Sequence, residues 1–325
     1  MPQIAVIIAT KNRPEEIARC SLPSLNRSDF RDFVCVVWDA SDDDRTQKAA
    51  ESREWNFPLQ YFRAPRAGLT SQRNDATGYV LKSYHDVQYL VFIDDDSELS
   101  RDALGGVRDT FAETSAWGIN IPLVPHLGPD GLSVPEPGPF GRRTMTPYLH
   151  NQGSGPEQHG VPVDWLSGCS MAFRREVFSE PGLRFPEAFQ RFGGYALGED
   201  VALSFFLKKK CGKVLMNSLS GAVCHHAAGG ARLNISNMTA SKWYNFHLLF
   251  EAIYDDVHGA RRAWLKLKFK LFMIAAAFKV PVRAWSFNFP EVFRGIARAQ
   301  SALVEYHGDS DIKALFTNDS APGGK

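Results

Sequence analysis

Three consecutive aspartates, Asp94, Asp95 and Asp96, follow directly after the apolar segment YLVFI at 89–93. An uninterrupted apolar segment of this length is typical of a buried strand in a parallel sheet. Open α/β sheets bind ligands at the carboxyl ends of such strands. Three adjacent carboxylates repel one another, and a divalent cation such as Mg²⁺ would relieve the repulsion and also bind a substrate phosphate. A solvated turn is the alternative, but the position of the aspartates favours a metal site.

Two further groups have residue types suited to chemistry. Glu199 and Asp200 open a helical segment directly after a glycine-rich stretch, and one of them could act as a general base. Stabilising acids at a helix N-terminus are the alternative. His225 and His226 follow the strand-like segment at 221–224, where an imidazole could complete a metal shell, preferably of Mn²⁺, or contact a phosphate. A histidine bonded within the fold is an equal alternative, and the sequence does not distinguish the two histidines.

Alternating strand-like and helix-like segments must position these residues. The predicted strands are 3–10, 34–39, 59–64, 89–93 and 118–124. The predicted helices are 14–25, a segment opened by SDDDR at 41–45, and 71–83. This alternation is typical of βαβ units and predicts an α/β fold with a parallel sheet.

The second half of the chain begins with a change in composition. Residues 125–163 are rich in proline and glycine and lack periodicity, which predicts a long loop; a lid, an acceptor loop and a disordered segment all remain open. Regular structure resumes at 164–178, further strands are predicted at 213–218 and 221–224, and the chain is mainly helical from Thr239.

Bulk properties limit the class of protein. The chain has 325 residues and a net charge of +1, so we expect no nucleic-acid partner. Its five cysteines lack C-x-x-C spacing, which predicts reduced thiols in a cytoplasmic protein. The N-terminus has the pattern of a first strand and not of a signal peptide. No segment approaches the roughly 18 uncharged apolar residues of a spanning helix.

Seven motifs occur in one order over roughly residues 3–235. They are TKNR, WDAS, GLTSQRN, FIDDD, WLSGCSMAFRR, GED and CHHAAGG. This combination resembles the family 2 glycosyltransferases of the GT-A fold, which implies an α/β domain with a mixed, mainly parallel sheet, here followed by a C-terminal helical extension. The resemblance implies a metal-dependent, inverting transfer of a sugar from a nucleotide-diphosphate donor to a saccharide or lipid-linked saccharide acceptor, in polysaccharide or glycolipid assembly.

The resemblance also implies roles for residues of the nucleotide-binding half. The expected nucleotide-binding set is Thr10, Arg13, Asp39, Arg73, Asp94 and Asp95. Within it, Asp39 is similar to the residue that contacts the nucleobase, and Asp94 to the one that contacts the ribose. Asp39 as a helix cap and Arg73 as a surface residue are the alternatives.

The remaining roles follow from the same resemblance. Asp96 is similar to the metal ligand that contacts the diphosphate, and we predict His225 beside it, with Mn²⁺ or Mg²⁺ as the cofactor. Asp200 is similar to the general base, although Glu199 remains open for that role.

Three residues are predicted to contact the sugars or the diphosphate: Trp165, Gly168 and Arg232. Trp165 could stack on a sugar ring, and core packing is an equal competitor. Arg232 could donate a fork of hydrogen bonds to the diphosphate.

We expect three regions: a nucleotide-binding half at 1–124, an acceptor-binding and catalytic half at 125–238, and a helical extension at 239–325. No acidic residue lies between Asp256 and Glu291, where lysines and arginines alternate with Trp and Phe. Such helices lie in the interface of anionic membranes, so we predict peripheral contact with the inner face of the plasma membrane. A basic face packed on the catalytic domain, a dimer helix and an RNA-binding surface remain alternatives, and the oligomeric state is open.

Two other functions compete with sugar transfer. A nucleotidyltransferase also binds nucleotide and Mg²⁺ through aspartates, but it normally has a glycine-rich basic loop after strand one, where this chain has TKNRP. A non-catalytic scaffold at the membrane surface is the other alternative, and the presence of Asp96 and Asp200 argues against it.

Overall fold

A seven-stranded mixed sheet forms the centre of the fold. The computed structural model describes residues 2–132, 142–153, 156–179, 182–226, 234–283, 288–309 and 312–317. In chain order the strands are β1 (Ile4–Thr10), β2 (Phe33–Asp39), β3 (Leu59–Arg63), β4 (Tyr89–Ile93), β5 (Ser97–Leu99), β6 (Ala116–Asn120), β7 (Leu123–Val124), β8 (Thr144–Met145), β9 (Asn151–Gln152), β10 (Ser170–Arg174), β11 (Val214–Asn217) and β12 (Val223–His225).

The helices lie between and after these strands. In chain order they are α1 (Pro14–Glu16), α2 (Leu22–Asn26), α3 (Arg45–Ala50), α4 (Leu69–Ser83), α5 (Ala103–Glu113), α6 (Glu176–Ser179), α7 (Glu199–Lys209), α8 (Ile235–Ile253), α9 (Gly259–Arg283) and α10 (Phe289–Asp309). Short 3₁₀ helices occupy Glu187–Gln190 and Ile312–Leu315.

The strand order of the central sheet is β11-β6-β10-β4-β1-β2-β3. Neighbouring pairs are parallel except where β10 lies antiparallel between β4 and β6. The prediction of a mixed, mainly parallel sheet is therefore confirmed. Because β10 comes from the second half of the chain, both halves contribute strands to one sheet. A second sheet has the order β5-β12-β7, and β8 pairs with β9.

The apolar strands are buried on both faces, as their sequences predict. Leu90 and Phe92 of β4 pack in one core cluster, whereas Val91 and Ile93 pack in the cluster on the opposite face. Successive side chains of a strand alternate between faces, so an uninterrupted apolar segment requires cover on both sides. Burying each such side chain is worth about 1.5–3 kcal/mol.

Several predicted elements differ in detail. The helix predicted at 14–25 contains a π-helical turn at Ile17–Ser21 between α1 and α2. The strand predicted at 118–124 is divided into β6 and β7, which belong to different sheets. Pro122 lies at the break, and because proline has no N–H to donate to a ladder, it ends β6.

The described parts of the segment 125–163, which are 125–132, 142–153 and 156–163, are more regular than their composition predicts. Within the described residues, β8 and β9 form a small antiparallel hairpin. The buried Arg143 side chain forms an ion pair with Glu157 at 2.5 Å. A charged group buried in this way needs such a partner. Glu157 also accepts hydrogen bonds from Asn120 Nδ2 at 2.8 Å and from Leu123 N at 3.1 Å, so it connects Arg143 to β6 and β7. Whether the segment acts as a lid stays a prediction.

The described part of the C-terminal region is mainly helical, and α10 packs along α8. All five cysteines are free thiols, as predicted. Among the described helices, none is long and apolar enough to cross a membrane.

Candidate active site

The predicted site residues meet at the carboxyl edge of the central sheet. The parallel register pairs Thr10 with Asp39 and Ile8 with Ile93, so β1, β2 and β4 end at the same edge. The antiparallel β10 begins there, because Ser170 pairs with Ile93. The loop that precedes β10, which contains Gly168, therefore lies at the edge where the aspartates emerge.

Asp95 is hydrogen-bonded to residues at and just after the end of β1. Its carboxylate accepts a 2.6 Å hydrogen bond from Thr10 Oγ1 and a 3.2 Å hydrogen bond from Arg13 Nη1. Burial raises the pKa of Asp95 to about 7, against the opposing effects of Thr10 and Arg13. The structure thus brings together three residues of the predicted nucleotide-binding set, although the Asp95 carboxylate already has hydrogen-bond partners within the protein.

Asp96 and Asp94 face the same imidazole. His225 Nε2 lies 3.1 Å from Asp96 Oδ1 and 3.8 Å from Asp94 Oδ2, and the hydrogen bond with Asp96 raises the pKa of His225. The β5–β12 pairing produces this contact, because it sets His225 opposite Ser97. His226 points elsewhere, with Nε2 3.1 Å from Glu98 Oε2. The geometry therefore favours His225 over His226 as a metal ligand.

A thiol adjoins this group. Ligand atoms of Asp94, Cys169 and His225 all lie within 4.8 Å of one another, which is a possible metal-binding arrangement. Burial raises the pKa of Cys169 to about 12, so the free thiol is protonated at neutral pH. The geometry adds Cys169 and Asp94 to the candidate ligands, whereas the sequence analysis assigned Asp94 to the ribose.

Arg73 connects the aspartate cluster to the acidic pair. It is buried on α4 and donates hydrogen bonds to Glu199 Oε1 at 2.7 Å, to Asp94 Oδ1 at 3.1 Å and to the Gly168 carbonyl at 2.8 Å. The alternative of a surface residue is therefore wrong. A buried guanidinium is stable here because its donors meet carboxylate and carbonyl oxygens.

The acidic pair at the start of α7 occupies two different environments. Burial and the neighbouring Asp200 raise the pKa of Glu199 to about 8. Asp200 Oδ2 accepts a 2.7 Å hydrogen bond from the Gly168 N–H, and Oδ1 accepts one from Val201 N at 2.7 Å. A Cβ at Gly168 would lie 3.2 Å from both Asp200 Oδ2 and Arg73 Nη1, so glycine allows this close approach.

Asp39 lies at the end of β2 with its carboxylate surrounded by donors. It accepts hydrogen bonds from the backbone N–H and hydroxyl of Ser41, from the Tyr61 hydroxyl and from Arg63 Nη1. The Asp39 side chain is fully buried, whereas 42% of the Arg63 side chain is exposed. A nucleobase that hydrogen-bonds Asp39 would therefore displace Arg63 most easily. The predicted nucleobase contact remains a prediction.

Trp165 lies against the small hairpin formed by β8 and β9. Its Nε1 is 3.3 Å from the carbonyl oxygens of Thr144 and Gln152, and the Arg143 guanidinium lies 4.3 Å from its ring centroid. Its predicted contact with a sugar remains open. Arg232 lies outside the described residues.

Several residues that support the site are not among those predicted from the sequence. Gln72 Nε2 donates to the carbonyls of Thr10 and Trp38, which ties α4 to the ends of β1 and β2. Gln72 lies in the motif GLTSQRN directly before Arg73, which was predicted as a site residue. Its position in this motif could therefore have indicated a role for Gln72 as well. Tyr61 and Arg63 gave no comparable signal, because they contact Asp39 only through the pairing of β2 with β3.

The comparisons with known proteins define the class. A family model described as glycosyl transferase family 2 matches residues 5–180, which is more than half of the chain. The chain therefore belongs to this family, and it is a glycosyltransferase with the GT-A fold. The family favours this class over the nucleotidyltransferase and scaffold hypotheses.

Individual relatives are distant. The chain is 23% identical over 276 residues to the succinoglycan biosynthesis protein ExoM of Rhizobium meliloti (strain 1021), which covers 80% of this chain and 78% of ExoM. It is similar in fold to the mannosyltransferase PcManGT of Pyrobaculum calidifontis in complex with GDP-Man and Mn²⁺, with a TM-score of 0.54, 16% identity, and coverage of 97% of this chain and 84% of that one. S. aureus TarS 1-349 in complex with UDP-GlcNAc gives a TM-score of 0.50, 16% identity, and coverage of 83% and 71%.

Proposed function

We propose that this glycosyltransferase moves a sugar from a nucleotide-diphosphate donor to a saccharide or lipid-linked saccharide acceptor, with inversion at the anomeric carbon and with Mn²⁺ or Mg²⁺ as the cofactor. The observation that carries the proposal is that His225 lies close to both Asp94 and Asp96 at the sheet edge. Asp94 also forms an ion pair with the buried Arg73. Two carboxylates and an imidazole converge where open α/β sheets bind ligands.

The donor set fits a divalent cation. Carboxylate oxygens suit Mg²⁺ and Mn²⁺, and Mn²⁺ also accepts an imidazole nitrogen. A bound metal would supply Lewis-acid stabilisation of the departing diphosphate. Arg13 Nη1 lies 3.0 Å from Asp96 Oδ2, so it must share or release this carboxylate when a cation binds. A donor diphosphate offers Arg13 a second anionic partner.

Asp200 is the proposed general base, with Glu199 as its neighbour. Two backbone N–H donors, from Gly168 and Val201, fix the orientation of the Asp200 carboxylate. Glu199 is instead buried and bonded to Arg73, which leaves it less free to approach an acceptor hydroxyl. A base must lie within hydrogen-bond reach of the proton that it accepts, so orientation and access favour Asp200.

The nucleotide would occupy the edge formed by β1, β2 and α4. We assign contacts with the nucleotide to Thr10, Arg13 and Asp39, and the three-region division at 124 and 238 remains part of the proposal. ExoM is a succinoglycan biosynthesis protein, which supports polysaccharide assembly as the setting. We place the reaction in the cytoplasm, where a lipid-linked acceptor would hold the enzyme at the inner face of the membrane.

A thermal-shift screen of UDP-, dTDP- and GDP-sugars, each with Mn²⁺ and with EDTA, tests the donor and the metal together. At a ligand concentration one hundred times Kd, binding stabilises the native state by about 2.7 kcal/mol. We expect stabilisation by one nucleotide class, only with metal, and its loss in Asp96→Ala. Asp109→Ala, which removes a more exposed carboxylate on α5, should behave as wild type. Equal stabilisation of Asp96→Ala with and without Mn²⁺ would refute the metal assignment.

The anomeric configuration of the product tests the proposed inversion. With an α-linked donor, NMR of the product should show a β-linked sugar. An α-linked product would contradict a single displacement assisted by Asp200 and would require a different mechanism.

A further inference from the structure

One face of α9 exposes a row of large apolar side chains. Trp264, Leu267, Leu271 and Ile274 are spaced by three, four and three residues, which brings them to one side of the helix. Their exposed fractions run from 46% for Ile274 to 57% for Leu267. We call these four residues the α9 stripe. Solvent-exposed apolar residues scattered singly are normal, but a continuous row marks an interaction surface.

The α9 stripe is separate from the face that α9 packs on the protein. Leu265, Phe269 and Met273 are buried in the core cluster, and they lie on the opposite side of the helix. The helix thus has an apolar face for the core and a second one that the described chain does not cover. The surface continues onto α10, because the Phe278 ring lies 5.6 Å from the exposed Phe293 ring.

Cations border the α9 stripe on both sides. At about 100° per residue, Arg261, Lys268 and Lys279 lie along one side of it, and Lys266 and Lys270 along the other. All five are exposed. Arg262 differs from them, since its guanidinium bonds Glu251 and the Tyr254 carbonyl and so belongs to the fold.

We propose that the α9 stripe docks on an anionic lipid surface, with its apolar side chains at the acyl boundary and its bordering cations at the headgroups. Helices with this combination of an apolar face and flanking lysines lie in the plane of the membrane interface. Trp264 suits that position, because its ring is amphipathic and the Lys268 ammonium lies 5.6 Å from its centroid. The bordering cations favour an anionic partner, and the exposed apolar side chains favour a lipid among the anionic partners.

Other occupants fit less well. A second copy of the chain docked through the same face would bring two sets of bordering cations together, and α9 has no acidic residue to pair with them, since none lies between Asp256 and Glu291. Nucleic acid would match the charges but would leave the aliphatic Leu267 and Leu271 without an apolar partner. A lipid surface matches both features.

On the side of α9 away from the α9 stripe, the helix contacts the predicted acceptor-binding half of the protein. Phe272 stacks on His150 with ring centroids 4.6 Å apart, and His150 belongs to the β8–β9 turn whose strands hold Trp165. Docking of the α9 stripe would therefore hold this hairpin near the membrane surface. This link, which rests on the proposed function, assigns the acceptor to the lipid-linked class.

Vesicle sedimentation of the full-length chain tests the apolar part, without any nucleotide sugar. The probes are vesicles of phosphatidylcholine alone and of phosphatidylcholine mixed with phosphatidylglycerol. We expect binding to the mixed vesicles and at least about tenfold weaker binding for the double variant Leu267→Gln/Leu271→Gln. The control Leu132→Gln/Leu219→Gln changes two exposed leucines elsewhere and should bind as wild type.

The cationic part has a separate test. Lys268→Gln and Lys279→Gln should each weaken binding to the mixed vesicles about fivefold, and added salt should reduce the difference. Lys266 is not chosen, because it also pairs with Glu251 at 3.4 Å. Lys82→Gln, on the exposed end of α4, is the matched control.

Two results would overturn the proposal. One is equal sedimentation of wild type and Leu267→Gln/Leu271→Gln with the mixed vesicles. The other is a wild-type dimer, detected by light scattering, that this variant dissociates while vesicles leave both proteins in the supernatant. Circular dichroism and donor binding without vesicles confirm that each variant is folded, so a failure of the lipid proposal is distinguishable from a failure of sugar transfer.

Discussion

Arg73 Nη1 donates a 2.7 Å hydrogen bond to Glu199 Oε1, and both side chains are buried. The contact joins α4 to the first turn of α7 across 126 residues of sequence. The other terminal nitrogen of Arg73 bonds Asp94, so one guanidinium bonds two carboxyl groups at the sheet edge. The ion pair is therefore a structural support for the acidic site as well as part of it.

We expect Arg73→Met to lower the free energy of unfolding by about 3–5 kcal/mol, because it leaves the Asp94 carboxylate without its cation and the buried Glu199 carboxyl group without its hydrogen-bond donor. Urea unfolding followed by circular dichroism measures the change. Arg19→Met, at a largely exposed position, should change the free energy by less than about 0.5 kcal/mol. A loss as small as that of the control would show that the buried ion pair does not stabilise the fold.

The raised pKa of Glu199 predicts a pH dependence of stability. The pKa of Glu199 is about 8 in the folded state, against an ordinary value of 4.5, so the folded state binds this proton more tightly than the unfolded state. The stabilisation is complete below pH 4.5 and is lost as the pH rises toward 8. In ligand-free protein we expect this group to lower stability by at most about 1.4 kcal/mol per pH unit. Glu199→Gln should flatten that part of the profile, and an unchanged slope would contradict the assignment.

Asp200→Asn should keep donor binding and lose transfer. Removing a general base typically slows a reaction about 10²- to 10⁴-fold, while the amide can still accept a hydrogen bond from the Gly168 N–H. Initial rates and donor affinity, measured side by side, separate the two effects. Normal turnover in this variant, with loss in Glu199→Gln, would move the role of the base to Glu199.

The position of Cys169 predicts that its thiol affects the preference of the site for Zn²⁺ over Mn²⁺. Thiolate ligands favour Zn²⁺ over hard cations, and Cys169 lies within 4.8 Å of the ligand atoms of Asp94 and His225. We expect Cys169→Ser to weaken Zn²⁺ binding at least about tenfold and to leave Mn²⁺ binding nearly unchanged. Titration calorimetry measures both, with Cys211→Ser as the control. Equal Zn²⁺ affinity in the two variants would exclude the thiol as a ligand.

The sequence determined the elements and the chemistry of the edge. Apolar segments specified β1, β2 and β4, because strands buried on both faces are apolar along most of their length. The motif after β4 located the aspartates, and the motif order indicated the family that the comparisons confirmed. These features are local along the chain, so residue types and spacing are sufficient to predict them.

Only the tertiary structure decided which side chains meet. The antiparallel insertion of β10 brought Gly168 and Cys169 to the aspartates, and the pairing of β12 with β5 selected His225 over His226. Local patterns carry no information on such contacts, because strand pairing and register depend on residues far apart in sequence. The same reason applies to α9, where composition indicated a basic aromatic helix but only packing revealed which apolar face remains exposed.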